Sequence, residues 1–253
     1  MGKLLLIFIE VLCKALKDSS HNYVLIIEEI NRGNAAAIFG EAFQLLDRDS
    51  DDKSIYDVKM NDEVMNYVSS KMGGTAKTVD NLYIPSNMYI WATMNPSDQG
   101  VDILDSAFKR RWRLEYIGIN ENEDKNDAMI SMPFFEKEKF FEDLPKERRI
   151  SWNWLRREIN GKIMQGENIF IKEDKLLGPF FITKSEIDDN TIKSKLIIYL
   201  KDDILKSRYA QLFDGNYKTT SDLLEAYNLG RNIFTISNQD FKAEIETVLK
   251  GAK

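Results

Sequence analysis

The chain has 253 residues, 43% of them hydrophobic, and 35 Lys+Arg against 41 Asp+Glu give a formal net charge of -6. That is room for one large domain or two ordinary ones with a proper core, and the acidic balance speaks against wholesale coating of nucleic acid, leaving at most a local basic strip. A single cysteine, Cys13, and a single histidine, His21, exclude a disulfide framework and disfavour a zinc site or a His-based triad, so any chemistry falls to carboxylates, amides and arginines.

Residues 3–17, KLLLIFIEVLCKALK, have apolar positions on nearly every side with lysines and a glutamate spaced through them, which predicts a largely buried helix. The apolar run is too short to span a bilayer and no small-residue cleavage site follows it, so a cytoplasmic address is expected. YVLII (23–27) is short and aliphatic, as expected of a central parallel strand covered on both faces. The loop EEINRGN leads into AAAIFGEAFQLLDR, where Ile38, Phe39, Ala42, Phe43 and Leu46 form a helical stripe. From about 48 to 81 the sequence turns polar and reads as an excursion, a hairpin or flexible loop with a strand or two. NMYIWATMN (87–95) is a second apolar strand, followed by the turn PSDQG. Asp102 is placed to cap a helix over ILDSAFKRR, and RWRLEYI (111–117) alternates as a strand does.

After residue 118 the character changes. NENEDKND reads as a charged linker, and helical periodicity dominates beyond it, notably in ERRISWNWLRREINGKIM and IKSKLIIYLKDDILKSRY. The expected architecture is an α/β core over 1–120, a parallel sheet with flanking helices, followed by a mainly helical domain over 121–253. Two strand-loop-helix units with polar loops at their carboxyl ends place any ligand beyond those ends.

The chemistry concentrates there. A strand ending in Glu28 and Glu29 offers one carboxylate for a hydrated Mg²⁺ and one to polarise a water, the pair of functions that phosphoanhydride hydrolysis needs. The bland alternative is a solvated strand end. Asn95, at the end of a strand expected beside the first, has an amide suited to a terminal phosphate or the attacking water. Lys109, Arg110 and Arg111 close the next helix, where an arginine either complements the helix terminus or reaches a neighbouring subunit's nucleotide. Trp152 and Trp154 read as helix core rather than base-stacking residues, and DKLLGPFFI as a structural turn.

The order IIEEINRGNAAAIFGEAF, IPSNMYIWATMNPSDQGVDILDSAFKRRW, WNWLRREIN and DKLLGPFFI resembles the McrB-type branch of the AAA+ nucleoside triphosphatases, the motor of a modified-DNA restriction system, and more loosely the MoxR and dynein-related branches. The resemblance implies a partial P-loop NTPase core with a helical lid. It makes Glu28 the Walker B metal ligand, Glu29 the catalytic acid, Asn95 sensor 1, Asp98 the second polar residue of that segment, and Arg110 or Arg111 the arginine finger. Asn31 and Arg32 match the family's Asn-Arg after Walker B, near a subunit interface. It also implies Mg²⁺ and ATP or GTP, a homo-oligomeric ring, an McrC-like protein partner, DNA reached indirectly, and no membrane. Only on this resemblance would DKLLGPFFI bring Lys175 toward phosphate.

The chain departs from the pattern in three ways. Glu28 stands where aspartate is usual, shifting the carboxylate by about one methylene. Asn-Pro-Ser-Asp replaces Asn-Thr-Ala-Asp; its likeness to a guanine-reading Asn-Lys-x-Asp is outweighed by its place at a strand end, and ATP is the commoner substrate. No G-x-x-x-x-G-K-[ST] occurs in the 253 residues, and GGTAKT (73–78) lacks the glycine before lysine and a strand-helix context. The expectation is a chain that begins downstream of the phosphate loop, part of a larger ATPase, with little nucleotide affinity alone. The rival readings are an AAA+-derived interaction module without turnover and a basic-loop DNA-binding protein, which the acidic balance disfavours.

Overall fold

The computed structural model describes residues 2–33, 39–73, 80–95, 104–126, 128–165 and 171–251. It is a mixed α/β structure that divides into two compact units, Met1–Tyr116 and Ile117–Lys253.

The first unit opens with α1 (Lys3–Lys17), which buries Phe8, Ile9, Leu12, Cys13 and Ala15. Their spacing makes one stripe rather than an apolar girdle, and each fully buried large side chain contributes about 1.5–3 kcal/mol. β1 (Tyr23–Ile27) follows and pairs in parallel with β2 (Met88–Ala92), with Tyr23 opposite Met88 and Ile27 opposite Ala92. Asn87 fixes the start of this pair: its Nδ2 donates to the carbonyls of Ala15 (3.1 Å), Asp18 (2.8 Å) and His21 (2.9 Å), tying the end of α1 to both strands.

Among the described residues the sheet is covered on one face only, which corrects the expectation for β1. Leu25, Ile27 and Met88 are buried, whereas Ile26 and Trp91 are each 62% exposed and Val24 and Tyr89 lie open beside them. Alternation in a strand sends successive residues to opposite faces, and here the apolar content of both faces exceeds what this unit covers.

Other expectations are also corrected. The stripe after β1 forms a tight 3₁₀ segment, Gly40–Leu46, because Gly40 at φ 49° breaks helical continuity; Phe39, Ala42 and Leu46 are buried as the stripe implies, and Ile38 lies outside the described residues. The polar excursion contains α2 (Asp62–Met72), capped by Asn61 and anchored by buried Val64 and Val68. Bridges at Arg48–Ser54 and Val58–Leu82 flank it. GGTAKT beyond Gly73 lies outside the described residues, as does Asp102. The helix expected there is α3 (Ser106–Lys109), capped by Asp105 through Phe108 N–H (2.6 Å). Residues 113–118 form no strand, and Leu114, Tyr116 and Ile117 are exposed: the alternation of RWRLEYI exists, but no described strand offers it a ladder.

The second unit is largely helical. β3 (Met129–Ile130) pairs antiparallel with β4 (Ile150–Ser151), and α4 (Pro133–Lys137), α5 (Trp152–Met164), α6 (Thr220–Asn228) and α7 (Asn238–Gly251) surround an aromatic core. Phe134, Phe135, Phe141 and Phe241 meet edge to face or tilted with centroids 4.6–5.9 Å apart. IKSKLIIYLKDDILKSRY is helical through wide π-type turns over Ile192–Ile197 and Tyr199–Leu205. α5 starts later than its periodicity suggests because buried Arg148 pulls the preceding chain extended, donating to the carbonyls of Pro145 (2.8 Å), Leu144 (2.9 Å) and Phe135.

The stretch NENEDKND is not a linker. Arg156 on α5 is fully buried, and its guanidinium donates to Asn120 Oδ1 (2.8 Å), Glu123 Oε2 (2.5 Å) and Asn153 Oδ1 (2.9 Å), drawing the acidic segment onto the unit. The turn GPFFI is structural: the Pro179 carbonyl accepts from Asn126 Nδ2 (2.6 Å) and Trp152 Nε1 (2.7 Å), and Trp152 is wholly core. Lys175 pairs with Asp174 at 3.4 Å. No helix among the described residues is long and apolar enough to cross a membrane.

Candidate functional site at the strand ends

Parallel pairing brings the carboxyl ends of β1 and β2 to one edge of the sheet. Glu28 and Glu29 leave β1 there, and Thr93, Met94 and Asn95 leave β2. The ladder continues past the strands: Thr93 N–H donates to the Ile27 carbonyl (3.0 Å) and Ile30 N–H to the Thr93 carbonyl (2.9 Å).

Both glutamates are exposed, so water screens the repulsion that makes adjacent acids costly inside a protein. Glu29 adopts the left-handed conformation, φ 52° and ψ 52°, which costs a non-glycine residue about 1–2 kcal/mol. Its carboxylate forms an ion pair with Arg32 on the following turn, Ile30–Arg32. Asn31 is buried, and its Nδ2 donates to the Asn95 carbonyl (2.8 Å), stitching the two loops together. Glu28, Glu29, Asn31, Arg32 and Asn95 therefore share one edge. Asp98 lies outside the described residues.

The two arginines at the end of α3 differ sharply. Arg111 is 9% exposed: its Nε and Nη2 both reach Asp47 Oδ2 at 2.9 Å, Nη1 donates to the Ala107 carbonyl (2.7 Å), and the guanidinium lies 4.2 Å over the Phe43 ring. Those contacts give Arg111 a structural task within its own unit. Arg110 is exposed and has no side-chain partner among the described residues. Arg111→Lys removes the planar fork and the stack, and should lower the stability of Met1–Tyr116 by about 1–2 kcal/mol, whereas Arg110→Ala should stay within about 0.5 kcal/mol. Urea titrations followed by NMR on amides of this unit measure both; equal effects would remove the distinction.

Among the described residues no cluster of three or more His, Cys, Asp or Glu side chains is placed to hold a metal ion. A single exposed carboxylate such as Glu28 suits Mg²⁺, which keeps most of its water and takes one or two protein carboxylates alongside substrate phosphates. Sequence reasoning missed Thr93 and Asp47: each acts on a residue 64 positions away, and the only local signal was a hydroxyl residue two places before Asn95.

No protein-family model matches the chain. Over 235 residues, 92% of its length, it is 43% identical to a Bacillus subtilis (strain 168) protein described as Type II restriction enzyme BsuMI component YdiS, and it spans 63% of that protein. Over 106 residues, 42% of its length, it is 29% identical to the Type IV methyl-directed restriction enzyme EcoKMcrB subunit of Escherichia coli (strain K12), and it spans 20% of that protein. The chain is thus similar to components of two restriction enzymes, one of them an McrB subunit.

Proposed function

We propose that the chain supplies the Walker B and sensor half of an AAA+ nucleoside-triphosphatase site in an McrB-like motor of a restriction or defence system. The observation that carries this reading is the parallel pairing of β1 with β2, which sets Glu28, Glu29 and Asn95 on one edge joined by the Asn31–Asn95 hydrogen bond.

In this reading Glu28 holds Mg²⁺ through water, and the ion, when bound, neutralises charge on the β- and γ-phosphates of ATP or GTP. Glu29 orients the attacking water and draws its proton. Asn95 directs its amide at the terminal phosphate or that water. Arg110 is the arginine finger that acts on a neighbouring subunit's nucleotide in a homo-oligomeric ring, because Arg111 is committed to Asp47 and Phe43. The phosphates themselves are cradled by a glycine-rich loop that these 253 residues do not carry. Asp98 completes the sensor segment, an McrC-like partner couples turnover to DNA, and the assembly works in the cytoplasm.

The Glu29–Arg32 ion pair favours one second reading: a ring-interface module in which the acid is tied up and no turnover occurs. Phosphate release from ATP and GTP by the intact protein, wild type against Glu29→Gln, separates the two. Mg²⁺-dependent release that the substitution abolishes supports the motor, and a wild type that releases none supports the module.

A further inference from the structure

The join between β1 and β2 contains an irregularity that singles out one residue. With Ile27 opposite Ala92, and Thr93 N–H bonded to the Ile27 carbonyl, a regular parallel ladder would next bring the Glu29 N–H to the Thr93 carbonyl. That carbonyl accepts instead from Ile30 N–H at 2.9 Å. One extra residue is thus accommodated on the β1 side, the signature of a β-bulge, a device that re-aims a side chain. The displaced Glu29 N–H is taken by the Thr93 hydroxyl, Oγ1, at 3.0 Å. Glu29 is also the residue driven to φ 52°.

We propose that Thr93 is a positioning residue for Glu29: its hydroxyl satisfies the amide that the bulge displaces, and so holds the left-handed turn that aims the carboxylate. The catalytic consequence rests on the proposed triphosphatase reading; the structural one does not. Three hydrogen bonds to one residue, through N–H, carbonyl and hydroxyl, make Thr93 the clamp across the extra residue. Valine in its place keeps the β-branched shape and both backbone bonds and removes only the acceptor. Because Glu29 is exposed, water can receive the freed N–H, so the Thr93→Val chain should fold.

Amide hydrogen exchange on the 253-residue chain tests the clamp without reference to turnover. Thr93→Val should speed exchange at Glu29 by about tenfold, the upper range for one lost hydrogen bond, with Ile30 unchanged, and Thr93→Ser should restore the slow rate. Unchanged exchange at Glu29 overturns the proposal. In the intact protein, Thr93→Val should lower kcat about tenfold with KM within about twofold, and in a Glu29→Gln background it should add no loss, since it acts only through that carboxylate. A further tenfold loss in that background overturns the positioning role. If the wild type hydrolyses no nucleotide, the proposed function falls, while the exchange measurement still decides whether Thr93 clamps Glu29.

Discussion

Glu29→Gln should reduce nucleotide hydrolysis by the intact protein about 10²–10⁴-fold, the range for loss of a positioned general base, equivalent to about 3–5 kcal/mol of transition-state stabilisation. Glutamine keeps the shape and can still hydrogen-bond a water, but it cannot take a proton and cannot form the ion pair with Arg32. On the proposed reading nucleotide binding should persist, because that reading gives Glu29 the attacking water and not the phosphates. A fall in kcat with unchanged nucleotide affinity is the expected pattern. Loss of binding together with turnover would instead mean that Glu29 supports the structure of the site. The Glu29 carboxylate pairs with Arg32, so on the proposed triphosphatase reading the active arrangement requires that pair to part.

Arg156→Ala should destabilise the second unit by about 3 kcal/mol, the lower end for breaking a buried charged pair. The guanidinium is fully buried and joins Asn120, Glu123 and Asn153. Burial pushes its pKa down while the neighbouring Glu123 carboxylate pushes it up; the guanidinium stays charged throughout, so that acid offsets part of the cost of burying it. Its removal opens a cavity and takes a donor from three acceptors, of which Asn120 is exposed to water and Glu123 keeps Arg157 as a second partner, which is why the loss stays at the lower end. For a unit of this size the loss corresponds to about 10 °C in Tm. Calorimetry on the variant checks it, with Arg156→Lys recovering only part of the stability because an ammonium cannot span three acceptors in one plane. A shift under about 2 °C would show that the acidic segment is held by other contacts.

The elements that position the candidate site were legible because their signals are local. YVLII and MYIWA are short aliphatic runs cut off by polar turns, and both strands fall within residues of where the pattern puts them. Their carboxyl ends carry the acids and the amide, so the placement of the candidate residues could be read at the same place as the strand boundaries. What failed was what depends on distant partners. The alternation of RWRLEYI declares two faces but cannot say whether a ladder partner exists. α2 hides its helical signal because only Val64 and Val68 are buried among polar neighbours. NENEDKND looks solvated until a buried arginine more than 30 residues later claims two of its side chains. The choice between Arg110 and Arg111 rests likewise on Asp47, and the clamp on Glu29 rests on Thr93; neither contact leaves a trace at the residue it serves. The exposure of Val24 and Ile26 belongs to the same class: an aliphatic run states that two faces are apolar, not that both are covered.

A double-mutant cycle in single-turnover ATP hydrolysis by the intact protein tests most directly whether Glu29 and Asn95 serve one proposed reacting centre at one edge of the sheet. If the two side chains serve one step, Asn95→Ala should cost about 10- to 100-fold alone, and the Glu29→Gln/Asn95→Ala pair should fall within about threefold of Glu29→Gln. Losses that multiply, or an Asn95→Ala protein as active as the wild type, would contradict a shared site.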